Sequence, residues 1–499
     1  MRPLKRLLGD PARNRVIVLL ACVLGLESAD LSTIGATAPQ LQTAFHISNT
    51  QLGLLAAIST FVGALFTVPM GALTDRVRRV SLLAISVSLW AVAMVACALA
   101  QTYGWLLMAR LGLGAVTATA GPAIASLTGD FFPAAERGKI YGYILSGELL
   151  GAGVGFVVSG SVASAVSWRA AFAVLALPAA ALALAIWRGL PEPKRGAQTG
   201  QEQTHARPVG VARQAIQSRQ VDPVRERVLH CDPGELTLLQ ATRYVLRIPT
   251  NCWLIATAAV GYFFFAGMRT FALVFVRGHL DLGQSTATIV LFLAGTGALA
   301  GVLVSGRLAD KLIQRGRVDA RVLVGAVSYL AASACLAPAL LLATVAAVLP
   351  MLVVAAAALA APNPPLDAAR LDIVPSGLWG RAEGIRTMLR QSAQAAAPLV
   401  FGLVADALGG ATATGSQAHI PASTARALQE TFLIMIVPLL LTGLMLLRAR
   451  RGYAADVATA IASERSLTSG EDGTRPRRQR RRRPRRARGS AASPARTGG

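Results

Sequence analysis

Twelve apolar runs, each about the length that carries an α-helix across a hydrocarbon core of ~30 Å, set the limits on how this chain can fold. They are Val16–Ala38, Leu52–Leu73, Ser81–Ala100, Trp105–Leu127, Ile140–Ala163 and Trp168–Trp187 in the first half. The second half has Cys252–Val276, Ser285–Ala309, Val322–Ala343, Val345–Ala361, Ile385–Leu408 and Leu428–Leu447. Lipid offers backbone amides no hydrogen-bond partner, so every run must satisfy its own backbone as a helix. The expectation is an all-α polytopic membrane protein of twelve spans in two six-helix bundles.

Composition agrees. Of 499 residues, 54% are hydrophobic and 15% charged, against about 25% charged in soluble domains. The first run ends in "ATA" at 36–38, which mimics a signal-peptide cleavage site. Glu27 and Asp30 inside the run argue instead for a retained helix. Cys22, Cys97, Cys231, Cys252 and Cys335 are scattered without metal-ligand spacing. No metal or cofactor is expected.

Lys and Arg set the orientation. Arg2, Lys5, Arg6, Arg13 and Arg15, then Arg76, Arg78 and Arg79, then Arg137 and Lys139 fall on one side. With them lie the central loop, Lys311, Arg315, Arg317, Arg321, Arg370, Arg381, Arg386 and the tail. The opposite connections are nearly bare of cations. The positive-inside rule then places both termini in the cytoplasm of a multi-pass plasma-membrane protein. The divisions are 1–15 (N-terminus), 16–187 (first bundle), 188–251 (central loop), 252–447 (second bundle) and 448–499 (a disordered, Arg-rich tail).

The halves repeat each other. Gly71 and Asp75 in "GALTDRVRR" recur as Gly306 and Asp310 in "GRLADKLIQR", with Arg76 answered by Lys311. Pro122, Asp130 and Pro133 recur as Pro364, Asp372 and Pro375 at the same spacing. Parallel repeats about an axis along the membrane normal are one route to alternating access, with a central site between the halves.

"GALTDRVRR" resembles the loop 2–3 signature of the major facilitator superfamily through Gly71, Leu73, Asp75, Arg76 and Arg79. "RLGLGAVTA" from Arg110 is similar to the family's fourth-helix motif, and "SGELLGAGVGF" from Ser146 to the glycine-rich fifth-helix motif of its antiporters. The resemblance spans roughly residues 16–447. "GDFFPAAERGK", "WRAAF" at 168–172 and "LPEPKRG" at 190–196 look like the spinster-type branch, which includes lysolipid and sphingolipid carriers. That branch usually has a glutamate soon after the fourth-helix arginine, where this chain has Thr117. The resemblance implies a cytoplasmic gate at Asp75 with Arg76 and Arg79, echoed by Asp310 and Lys311.

Charges inside spans point to mechanism. Each costs at least ~2.5–3.5 kcal/mol at the bilayer centre and needs a partner or a wet cavity. Glu27 and Asp30, three apart, share a face of helix 1, and Arg110, Glu148 and Arg269 fall in helices 4, 5 and 7. A carboxylate held beside an arginine is ionised, and losing that partner in a dry bundle favours the protonated form. Asp30, with Glu27 or Glu148, is therefore expected to pair with Arg110 and carry a proton. Arg269 either meets an anionic group or snorkels to the interface. The alternative is a static network tying the helices together. Gly147, Gly151 and Gly155 form a small-residue face for close helix packing.

In the central loop, "CDPGELTLLQATRYVLRIP" suggests a short helix at the membrane face, opened by Asp232, Pro233 and Glu235. The tail holds ten arginines between Arg475 and Arg488. On the cytoplasmic side, anionic lipid headgroups are its expected partner rather than nucleic acid. It contributes much of the net charge of +24, which therefore says little about cargo.

No phosphate-binding glycine loop, HExxH or G-x-S-x-G is present, so an enzyme or an ATP-driven pump has no support. The expected function is secondary transport of a small organic or amphipathic solute, coupled to protons, by a monomer. The fifth-helix glycines lean towards antiport and efflux, and the spinster-like stretches towards a lysolipid carrier. A non-transporting sensor on the same scaffold is the alternative from another class.

Overall fold

The computed structural model describes residues 11–132, 134–193, 211–231, 236–375, 378–409 and 420–474. All regular structure among them is helical. The first bundle comprises α1 (Pro11–Phe45), α2 (Asn49–Arg76), α3 (Arg79–Ala98), α4 (Tyr103–Thr117), α5 (Ala120–Phe131), α6 (Ala134–Ala165) and α7 (Trp168–Gly189). Two short helices, α8 (Val211–Ser218) and α9 (Leu238–Arg247), belong to the central segment. The second bundle comprises α10 (Pro249–Leu280), α11 (Gln284–Gln314), α12 (Ala320–Leu341), α13 (Val345–Ala360), α14 (Asn363–Ile373), α15 (Trp379–Ala407) and α16 (Ala422–Thr474).

The fold crosses the membrane twelve times, with α4–α5 and α13–α14 each forming one crossing. Among the described residues, eleven crossings stand out by length and apolar composition. The twelfth is α15, whose first half carries Arg381, Glu383, Arg386 and Arg390. An even number of crossings brings both ends of the bundle to one face, called the terminal face below, opposite the far face. Polar side chains start the helices. Ser48 and Gln51 form a capping box on α2, Thr102 accepts from the Trp105 amide, and Ser167 from the Ala170 amide.

The two composite crossings break at matching places. Pro122 lacks an amide proton and crowds the preceding turn, and the helix loosens at Ala118–Thr119. At this break the Val116 carbonyl accepts from Ser86 Oγ at 2.7 Å as well as from the Thr119 amide at 3.4 Å. Pro364 and Pro365 act likewise in the second half, where the turn falls at Ala361–Pro362. The tenth span therefore does not end at Ala361, as the apolar run suggests; α14 carries it on to Ile373.

Each bundle has tight internal seams. A Cβ added at Gly147, Gly151 or Gly155 of α6 would fall 2.3 Å from the Ala21 carbonyl oxygen, 2.0 Å from that of Gly25 and 2.4 Å from Ala29 Cα. Only glycine allows α6 to lie this close to α1. In the second bundle, Phe264, Phe401, Phe432 and Phe275 interlock as T-shaped pairs.

Two features of the central segment and tail differ from expectation. The membrane-face helix is α9, but its cap is Thr237, in a capping box with Gln240; Asp232, Pro233 and Glu235 lie outside the described residues. The tail does not begin at 448, because α16 continues to Thr474. Ala449, Tyr453, Val457 and Ile461, four residues apart, form a buried apolar stripe that holds the extension against the second bundle. Asp456 accepts from the Thr250 amide and pairs with Arg227, and Arg213 of α8 donates twice to Glu464. Arg475–Arg488 lies outside the described residues.

Candidate functional site

The two bundles meet along three helix pairs, α1 with α10, α2 with α15 and α6 with α11. The closest approaches fall in the far half. Gly35 faces the Arg269 carbonyl, Gly53 that of Pro398, and Gly402 that of Asn49, each too close for a Cβ. Gln284 donates to the Ala36 carbonyl at 2.8 Å, and the Ser164 and Ser285 hydroxyls lie 3.3 Å apart. Asp406, in the last turn of α15, accepts from Asn49 N and Nδ2 at 3.1 and 2.9 Å and from Thr50 N at 2.8 Å. A carboxylate is disfavoured at the C-terminus of its own helix and favoured at the N-terminus of another. Asp406 therefore acts as a cap for α2 and clamps the bundles together at the far face. At the terminal face, among the described residues, α5 and α14 pack mainly within their own bundles.

Asp30 and Arg110 form a buried ion pair beside this space. Arg110 Nη1 donates to Asp30 Oδ1 at 2.6 Å and Nη2 to Ser59 Oγ at 2.9 Å. Their side chains are 2% and 0% exposed, so both charges depend on this pair for solvation. Ser28, Ser32, Thr33 and Thr37 on α1 are also buried. Thr33 exchanges a 2.8 Å bond with Ser159 of α6, and Ser32 and Thr37 donate to their own helix. The polar run on α1 thus lines an interhelical seam.

Among the described residues neither Glu27 nor Glu148 is paired with Arg110, so of the candidate carboxylates Asp30 alone holds it. Glu27 borders a small apolar cavity with Trp90, Ser86 and Thr117. Thr117 of α4 and Glu27 of α1 thus line the same cavity from two helices. Glu148 is exposed at mid-height on α6. Arg269 sits across the central space on α10, with its guanidinium carbon 5.9 Å from the Phe265 ring centroid. It interacts electrostatically with Glu148, Asp30 and Glu27. It is therefore one of the central group rather than a residue reaching for the interface.

The repeated loop motif forms matching staples. Gly71 packs on Pro122 and Gly306 on Pro364. Arg79 is buried, bonded to Asp130, to Ser126 Oγ at 3.0 Å, to Glu192 at 3.2 Å and to the Pro193 carbonyl at 2.9 Å. Arg321 holds Asp372 in the same way, each pair 51 residues apart in sequence. Tyr453 Oη donates to Asp372 at 2.6 Å, and Asp310 reaches Arg321 at 3.4 Å. These bonds lie within single bundles. Arg79 thus secures α3 to α5 rather than reaching the other bundle; Arg76 and Lys311 are exposed, and the Asp75 side chain lies outside the described residues.

Sequence reasoning missed a second polar cluster, on α14 and α15. Arg370 bonds Asp367 and meets Glu383 at 3.2 Å, and Arg386 bonds Glu383 and lies 3.6 Å from Asp367. One turn further along α15, Arg390 lies 4.5 Å over the Tyr262 ring. The signal was present, since Arg386 and Arg390 interrupt the run Ile385–Leu408, but Arg386 had been counted only as a marker of orientation.

Comparison with known proteins places this geometry. A family description of the Major Facilitator Superfamily matches residues 20–398. An uncharacterised transporter of Bacillus subtilis (strain 168) is 26% identical over 177 residues, 36% of this chain and 41% of that protein. Spinster homolog 1 of Xenopus laevis is 27% identical over 189 residues, 36% of this chain and 35% of that protein. The chain thus spans about two fifths of the length of these curated relatives. A solved bacterial homolog of the human lysosomal transporter Spinster, in an inward-facing and occupied conformation, superposes with a TM-score of 0.70. That match covers 90% of this chain and 99% of the other at 20% identity, and so speaks to the fold. With the family match, twelve crossings and duplicated loop staples in agreement, the chain belongs to the major facilitator superfamily of membrane transporters.

Proposed function

We propose that this transporter is a secondary active carrier that moves a small organic or amphipathic solute by alternating access and couples the movement to protons. Its terminal face is cytoplasmic in this reading, and the membrane is the plasma membrane. The observation that carries the proposal is the Asp30–Arg110 pair, buried beside the space between two bundles that meet mainly in their far halves. A shift of α1 against α4 within the first bundle that parts Asp30 from Arg110 leaves a desolvated carboxylate, which takes a proton from the open side. Glu27, in its apolar cavity beside Thr117, is the second carboxylate of this relay. The Asp75 motif closes the terminal face in the opposite state. The spinster likeness favours amphipathic cargo, and the α6 glycines favour exchange of cargo for protons.

A thermal-shift screen of metabolites, drugs and lysolipids on purified protein supplies a ligand for the test. Reconstituted Asp30→Asn protein should bind that ligand yet lose accumulation driven by a pH gradient. Undiminished pH-driven accumulation by this variant would overturn proton coupling at Asp30.

A further inference from the structure

Three arginines lie deep within the crossings around the central space, and only Arg110 is bonded to a carboxylate there. Among the described residues, Arg269 and Arg390 make no ion pair, and Arg390 Nε has no hydrogen-bond partner. Each rests instead on an aromatic ring, Arg269 by Phe265 and Arg390 over Tyr262. Tyr262, Phe265 and Arg269 follow at intervals of three and four residues and so share one face of α10. Phe265 is 38% exposed, unlike the interlocked Phe264 beside it. Across the gap stands Glu148 on α6, whose charge is felt by both arginines.

Two guanidinium groups without a bonded anion are costly at this depth. Their planar forks suit a carboxylate or a phosphate, which accepts two parallel N–H bonds. The rings that hold them fix their orientation and present apolar faces beside the charge.

We propose that Arg269 and Arg390 anchor the anionic group of the cargo, a carboxylate or a phosphate monoester, with Tyr262 and Phe265 against its apolar part. Glu148 is the internal counter-ion that the cargo displaces. The site then bridges the bundles, with two cations on the second and their resting partner on the first, so that loading changes the force between them. The charged groups that act on Glu148 are Glu27 from α1, Arg269 from α10 and Arg390 from α15. Tyr262 of α10 also faces it. Asp30 is held by Arg110, and Asp367 of α14, which acts on Arg390, is held by Arg370. Asp130, at the end of α5, is engaged by Arg79, and α7 and α11 carry no titratable residue at this depth.

The inference rests on the carrier reading but is tested by binding alone. Benzoate, phenyl phosphate, benzamide and benzylamine share a ring and differ in charge. In thermal-shift titrations of the full-length purified protein, benzoate or phenyl phosphate should stabilise it, and benzamide and benzylamine should not. The anion that works separates carboxylate from phosphate cargo. Arg390→Gln or Arg269→Gln should weaken that binding roughly tenfold or more, with Arg390→Lys intermediate because it keeps the charge and loses the fork. Glu148→Gln should tighten it, because the anion then has no internal carboxylate to displace. Monodisperse elution of each variant guards against misfolding. The proposal is overturned if neither anion stabilises the parent, if benzamide matches the anions, or if Arg390→Gln binds as the parent does. Anion binding without flux in any vesicle assay would overturn the carrier reading and leave the site standing.

Discussion

At the scale of single residues, the acidic side chains differ in what they hold. Asp30 neutralises one buried arginine within the first bundle, whereas Asp406 joins the two bundles through the start of α2. Removing the charge of Asp406 by Asp406→Asn should weaken bonds to Asn49 and Thr50 that together contribute about 1–3 kcal/mol to far-face closure. A cysteine at Thr50, in a background without native cysteines, should then react several-fold faster with a bulky maleimide. An unchanged rate would mean that closure rests on the glycine contacts alone. Asp406 was legible in principle, since an aspartate in the last turn of a helix opposes that helix's dipole unless it serves another one. Its partner was not legible, because no local spacing links residue 406 to residue 49. Asp30 and Arg110 could be matched from sequence because both break apolar runs, and charges in such runs seek one another.

At the scale of elements, small residues decide which helices can touch. α1 and α6 approach at Ala21, Gly25 and Ala29 against Gly147, Gly151 and Gly155, a four-residue rhythm on both sides. A methyl at Gly151 would lie 2.0 Å from the Gly25 carbonyl oxygen, whereas one at Gly153 meets only Phe292 Cε2, at 3.8 Å. Gly151→Ala should therefore cost about 1–3 kcal/mol through overpacking and lower the melting temperature in detergent, while Gly153→Ala should leave it near the parental value. Equal stability of the two variants would show that the seam relaxes freely. The rhythm on α6 could be read from sequence, but its partner helix could not. The extension of α16 was misread because the Arg-rich stretch after 474 colours the whole tail, although the stripe Ala449, Tyr453, Val457 and Ile461 already has helical spacing.

At the scale of the whole molecule, the duplication explains why the two halves share their fastenings. Arg79 with Asp130 and Arg321 with Asp372 each tie the helix that follows the repeated loop to the inner segment of a proline-broken crossing. The proline and aspartate marks of this symmetry stand in the sequence at equal spacing, but Arg321 looked like an ordinary loop charge until its partner was placed. Because the staples lie within bundles, each half can move as a unit, and the contacts that must break lie between α1 and α10, α2 and α15, and α6 and α11. The Ser164 and Ser285 hydroxyls, 3.3 Å apart on α6 and α11, offer a direct test. Replacing both with cysteine in a background lacking native thiols brings two sulfurs within bonding reach. Oxidation should then fix the far face closed and stop solute flux in vesicles, and a reductant should restore it. Either single-cysteine variant should be indifferent to oxidant. If the cross-linked protein carries solute at the reduced rate, the far-face seam does not open during the cycle, and transport by rocking of the two bundles is wrong for this chain.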